Sequence, residues 1–247
     1  MPNLTENIPI TSKRIVFVTG DKGGVGKSFT SRALVQYYLD TKQPFHAFDI
    51  DPVNPNLAQF YPDATTQIDI EEAGALDEIR NEVEKQPLLL VDCAARSLNE
   101  LDHWFKDLGL IQERGALRLS VTFVFVITPD KSCTVIMADT LGKFGKDAEY
   151  LVVKNQGKGK NFTIYEGSNL RTTLLNQYQG REISLPPLLE RTVVHLDTHD
   201  IGFGESLHHS QVTVADRSRV RGFLEQCYAQ FNPTKNLLLP QSYDRTN

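Results

Sequence analysis

Lys22-Gly23-Gly24-Val25-Gly26-Lys27-Ser28 stands between an apolar run, Arg14 to Thr19 (RIVFVT), and a segment, Lys27 to Leu39, in which Ala33, Leu34 and Tyr37 fall at helical spacing. Strand, glycine turn and helix in that order aim several backbone N–H groups at one point, beside the positive end of a helix dipole. The result is an anion cradle. Its glycines keep side chains from blocking the approach of backbone to a phosphate. Lys27 adds a cation for β- and γ-phosphates, and the Ser28 hydroxyl is suited to Mg²⁺. The plain alternative, a glycine turn with solvated lysines, leaves the strand–loop–helix order unexplained. One departure is visible: the glycine usual six positions before the lysine is Asp21, and Lys22 places a second positive charge early in the loop.

Working outward, short β-branched runs alternate with longer helical periods, the signature of a parallel sheet with crossover helices. Further strands are expected at Pro44 to Asp49, Pro87 to Asp92, Ser120 to Thr128, Tyr150 to Val153 and Ile183 to Leu185. Helices are expected at Glu71 to Lys85, Leu98 to Leu110, Lys131 to Phe144, Ser168 to Tyr178 and Val214 to Phe231. The fold class is α/β, a mostly parallel, doubly wound sheet flanked by helices. Residues 13–232 form one domain, with an N-terminal extension over 1–12 and a loose C-terminal tail over 233–247. No internal repeat or low-complexity block interrupts it.

Carboxylates stand at two strand ends, where an open parallel sheet keeps its ligand crevice. The first group is Asp49-Ile50-Asp51-Pro52-Val53-Asn54-Pro55-Asn56, which also reads as a turn with a helix cap. The second is Asp92, closing PLLLVD. Cys93 beside it lacks any neighbour in sequence that would lower its pKa, so it reads as a buried structural thiol.

On these residues the chain resembles a known family. KGGVGKS is similar to the deviant Walker A motif of the ParA/MinD ATPases, P-loop NTPases in which the first lysine, here Lys22, reaches across an ATP-bound dimer. Asp21 is then no anomaly, because ParA-type members also lack the early glycine. The resemblance implies that Gly23, Gly24, Val25, Gly26, Lys27, Ser28 and Phe29 hold the phosphates of ATP. Phe29 departs from the usual second Thr or Ser, removing a side-chain contact to the α-phosphate. By the same resemblance Asp51 orders the attacking water and the Mg²⁺ shell, Asn56 or Asn54 bonds that water, and Ser28 and Asp92 organise Mg²⁺. Asn155, just after a strand, matches the asparagine that reads adenine, and Pro186 the region flanking the base; an Asn there also serves as a simple turn residue. DPVN with GKSF looks most like members of plasmid transfer, mobilisation or stability systems, such as TraL-type proteins. The implied function is a slow, partner-stimulated ATP hydrolase acting as a dimerisation switch with protein partners of a plasmid or mobile element. Its rivals are a small-molecule ligase or kinase on the same scaffold, and a nucleotide-binding regulator with little turnover.

Composition sets the outer bounds. The 247 residues are 40% apolar, enough for a sizeable core. A net charge of -5 argues against a surface that is wholly a nucleic-acid clamp, while Arg217, Arg219 and Arg221, with Lys154, Lys158 and Lys160, leave room for non-specific DNA contact. Three scattered cysteines fit a reducing compartment better than a disulfide framework. No run of roughly 18 apolar residues suggests a membrane span, so a cytoplasmic location is expected. The proline-broken tail Lys235 to Pro240 makes a poor membrane helix. His195 and His199 have i, i+4 spacing near His208-His209, but the surrounding Thr, Asp and Gly read as loop rather than a metal site.

Overall fold

The computed structural model describes residues 10–20, 22–52, 54–95 and 97–243. Asp21, Val53 and most of the expected extension (residues 1–9), together with the last four residues, lie outside it. The strands in chain order are β1 (Ile10–Thr11), β2 (Lys13–Thr19), β3 (His46–Asp49), β4 (Thr65–Gln67), β5 (Leu88–Asp92), β6 (Leu119–Ile127), β7 (Glu149–Asn155), β8 (Arg181–Leu185) and β9 (Ser242–Tyr243). The helices are α1 (Lys27–Asp40), α2 (Asn56–Phe60), α3 (Asp77–Glu82), α4 (Leu98–Asp107), α5 (Leu110–Leu117), α6 (Cys133–Phe144), α7 (Thr163–Glu166), α8 (Asn169–Gln177), α9 (Glu190–Thr198), α10 (Phe203–Ser206), α11 (Val214–Phe231) and α12 (Lys235–Leu238).

Seven strands form one sheet in the order β4-β3-β5-β2-β6-β7-β8, with every pairing parallel. The sheet is buried on both faces, because successive side chains of a strand point to opposite sides. On β2, Ile15 and Phe17 enter one core with α4 and α6, while Val16 and Val18 enter the other with α1 and α11. β6 repeats the alternation, Phe123 and Phe125 on the first face and Val124 and Val126 on the second. Because the chain leaves β2 toward β3 and β5 on one side and β6 on the other, a crevice opens at the C-terminal end of β2.

Several expectations need correction. The helix expected over Glu71 to Lys85 shrinks to α3, since Gly74 takes φ +80° and Asp69 closes a turn on the Glu71 N–H. The single helix over Leu98 to Leu110 breaks at Gly109, φ +60°, and α5 follows. His195 lies inside α9, not in a loop. The tail is packed rather than loose: Leu237 and Leu238 are buried, and β9 pairs antiparallel with β1. It is anchored because Arg14, buried on β2, donates from Nε to the Leu239 carbonyl, while the Tyr38 hydroxyl donates to that of Leu238.

Candidate functional site

The loop after β2 is shaped by two left-handed glycines, Gly24 at φ +78° and Gly26 at φ +103°. A side chain at Gly26 would also strike the Asn155 amide, 2.3 Å from where its Cβ would stand. Around Gly23 and Gly24 there is open space on the cavity side. Thr30 closes the first turn of α1 by donating both its N–H and its hydroxyl to the Gly26 carbonyl. Lys27 is buried, and its Nζ donates to the Lys22 carbonyl at 3.2 Å, folding the ammonium over the loop.

Register then brings the acidic groups beside the loop. Asp49 of β3 and Asp92 of β5 are paired neighbours at the strand ends, and Val18 of β2 pairs with Asp92. Asp92 is buried; its Oδ1 accepts the Ser31 hydroxyl at 2.9 Å, while Oδ2 has no hydrogen-bond partner. Burial, and next the nearby Asp49 charge, push its carboxyl up to about 7, against the pull of Ser28, Ser31 and Lys27. Asp49 is occupied differently. Its Oδ2 accepts the Leu57 and Ala58 N–H groups and its Oδ1 that of Asp51, so it pins the start of α2. The cap reading of this segment therefore fits Asp49. Asp51 is half-buried, accepts the Asn54 N–H, and faces the cavity with Asn54 and Asn56.

One cavity of about 660 Å³ gathers most of the expected site: Gly23, Gly24, Gly26, Lys27, Ser28, Phe29, Asp51, Asn56, Asn155 and Pro186 all line it. Its size and chemistry suit a nucleoside polyphosphate, with a backbone cradle and a lysine at one end and Pro186, Leu188 and Val193 farther along. Three expected residues stand apart. The Val25 side chain is in the core behind the loop, leaving only its backbone for a ligand. Asp92 is not among the lining residues, although Ser28 and Lys27, which are, act on its carboxyl. Lys22 turns to the rim, where its Nζ meets Asp130 Oδ2 at 2.8 Å. The Asp130 carboxyl is held low by the Lys22 bond and the Thr128 hydroxyl.

Asn155 does more local work than base reading requires. Its Nδ2 donates to the Val25 carbonyl and its Oδ1 accepts the Gly157 N–H, so the side chain braces the phosphate loop against the β7 turn. Phe29 packs edge-on against Phe203, 5.3 Å between centroids, and bears on Phe223. A Mg²⁺ ion fits the oxygen donors here, because the buried Asp92 Oδ2 has no hydrogen-bond partner, and the Ser28 hydroxyl that acts on that carboxyl opens on the cavity that Asp51 also lines. Those three residues would hold it, and it would neutralise phosphate charge.

Residues 16–240 match the family described as the CobQ/CobB/MinD/ParA nucleotide binding domain. The chain belongs to this family. The family span runs past residue 232, in keeping with the packed C-terminal segment. Protein MobD of Acidithiobacillus ferrooxidans is 25% identical over 186 residues, covering 73% of this chain and 80% of MobD. Two solved structures share the fold. A nucleotide-binding protein of Archaeoglobus fulgidus in complex with ADP has TM-score 0.52 and 15% identity, over 76% of this chain and 86% of its own. The septum site-determining protein MinD of Pyrococcus horikoshii, complexed with Mg-ADP, has TM-score 0.52 and 13% identity, over 87% and 96%.

Within this nucleotide-binding family member, sequence reading missed Ser31, Asp130, Arg32 and the α9 wall. Ser31 had a signal, lying three residues past Ser28 on the same helical face. Asp130 and α9 had none, since they are far away in sequence. Cys93 is buried as expected, and burial pushes its thiol up. Among the described residues no group of three or more His, Cys, Asp and Glu side chains is arranged to hold a metal, although the His195 and His199 rings lie 5.0 Å apart. Of the basic residues considered for DNA, Arg217 donates to the His209 carbonyl, Arg219 pairs with Asp216 and Lys154 with Glu166, while Arg221 is exposed. Among the described residues, no helix is long and apolar enough to cross a membrane.

Proposed function

We propose that the protein is a Mg²⁺-dependent ATPase that works as an ATP-driven dimerisation switch in plasmid mobilisation, transfer or partition. The observation that carries this reading is the division of labour between two lysines of one loop. Lys27 bends over its own phosphate cradle, whereas Lys22 stands at the rim on Asp130, outside the cavity. In this reading Lys22 would serve a second subunit's phosphates rather than its own. Asp51, in a turn fixed by Asp49 and Asn54, would orient water at the terminal phosphate, and phosphoryl transfer depends mainly on such positioning and on charge neutralisation. Hydrolysis would be slow until a partner completes the site. The likeness to MobD supports the plasmid setting suggested by the sequence.

Light scattering on the whole chain tests the switch. Wild type should reach dimer mass with Mg²⁺ and ATP but not ADP, and Asp51→Ala should hold the dimer longer. Lys22→Ala should stay monomeric while still binding ATP. An unchanged mass with and without ATP would overturn the reading.

A further inference from the structure

Arg32 is a buried charge with no part in the scheme above. It lies four residues beyond Ser28 on α1, hence on the same helical face. Helix side chains lean toward the N-terminus, so its guanidinium reaches back along the cavity that it helps to line. The side chain is 4% exposed. Its Cζ stands 3.5 Å from the Phe60 ring centroid and 4.8 Å from that of Phe203. Nη1 donates to Asp197 Oδ1 at 2.8 Å, while Nε and Nη2 have no hydrogen-bond partner.

An arginine caged by aromatic rings and short of acceptors is expensive to keep unless an anion completes it. Its present partner is exchangeable, because the Asp197 side chain is 46% exposed and also borders the cavity. The planar fork of a guanidinium matches two oxygens of a phosphate. Lys27 and Ser28 define the β,γ end of the cradle, and Arg32 lies a helical turn away, toward α9 with its Val193.

We propose that Arg32 binds the phosphate nearest the nucleoside, exchanging the Asp197 carboxylate for it. This rests on the reading of the cavity as a nucleotide site, and it assigns to Arg32 the α-phosphate contact that Phe29 cannot make.

Calorimetry with the full chain, using ADP and inorganic pyrophosphate, separates the possibilities. Arg32→Gln should weaken ADP by about ten-fold or more, as for a lost charge-assisted bond, and leave pyrophosphate nearly unchanged. Arg32→Lys should recover part of the loss. Asp197→Asn should tighten ADP several-fold, roughly the effect of removing one competing exposed carboxylate. A merely structural clamp gives the opposite sign there, with both Arg32→Gln and Asp197→Asn losing affinity and melting temperature together. The proposal is overturned if Arg32→Gln binds ADP like wild type, if it loses pyrophosphate equally, or if Asp197→Asn weakens ADP. Should Arg32→Gln misfold, the surface variant Asp197→Asn still decides. Wild type that binds neither ADP nor ATP would instead sink the nucleotide reading itself, along with this inference.

Discussion

The two ends of the sheet treat buried charge in opposite ways. At the N-terminal end, Arg14 is enclosed and meets four acceptors: Nε bonds the Leu239 carbonyl, Nη1 reaches Thr122, Glu149 and the Leu237 carbonyl, and Nη2 alone has no partner. At the C-terminal end, Asp92 keeps a bare oxygen and Arg32 has one half-exposed partner. The difference lies in the number of acceptors, four for Arg14 and one for Arg32. Arg14 ties the tail to the sheet, whereas Arg32 borders the cavity.

The contrast can be tested from its strongest consequence downward. Arg14→Met should destabilise the protein by about 3 kcal/mol, because acceptors from two strands and the tail lose their common donor. Urea unfolding measures this, and the surviving folded fraction should bind ADP with wild-type affinity. A large affinity change would show that the two ends are not separate. Lys27→Ala should do the reverse, weakening ATP roughly 100-fold through loss of a charge-assisted phosphate contact while moving unfolding free energy little. Equilibrium binding beside a melting curve reads both.

The smallest effect concerns α9, the wall of the cavity. Thr213 caps α11 by accepting the Asp216 N–H, and the Asp216 carboxylate accepts the Thr213 hydroxyl and the Thr192 hydroxyl of α9. With the Thr192 bond first among the causes, its carboxyl is held down at about 2, below the ordinary 3.8. A depressed carboxylate stabilises the fold above about pH 4 and loses that contribution as pH falls through about 2. Asp216→Asn should therefore cost about 1 kcal/mol at pH 7, and the gap to wild type should close near pH 2 in acid unfolding curves. A gap that stayed constant with pH would assign the effect to packing instead.

Much of this was legible beforehand for local reasons. The glycine loop, the buried strands and α11 announce themselves through short-range pattern, because backbone conformation and two-sided burial act within a few residues. Elements were misjudged where glycine interrupted a helical period, as at Gly74 and Gly109, or where a three-residue edge strand, β4, was too short to carry a pattern. Of the acidic residues, their place at strand ends marked the Asp49–Asn56 segment and Asp92, and the cap reading of that segment did not say that Asp49 would be the residue pinning α2.

By itself the sequence determined the parallel α/β sheet and the phosphate cradle, since both follow from periodicity and from glycine placed between strand and helix. Only the tertiary structure decided that Lys22 rests on Asp130, that Asn155 braces the loop, that the tail locks onto Arg14, and that Arg32 faces the cavity from an aromatic cage. Each of those contacts joins residues far apart along the chain. Their partners are chosen by strand order and helix packing, which no local pattern encodes.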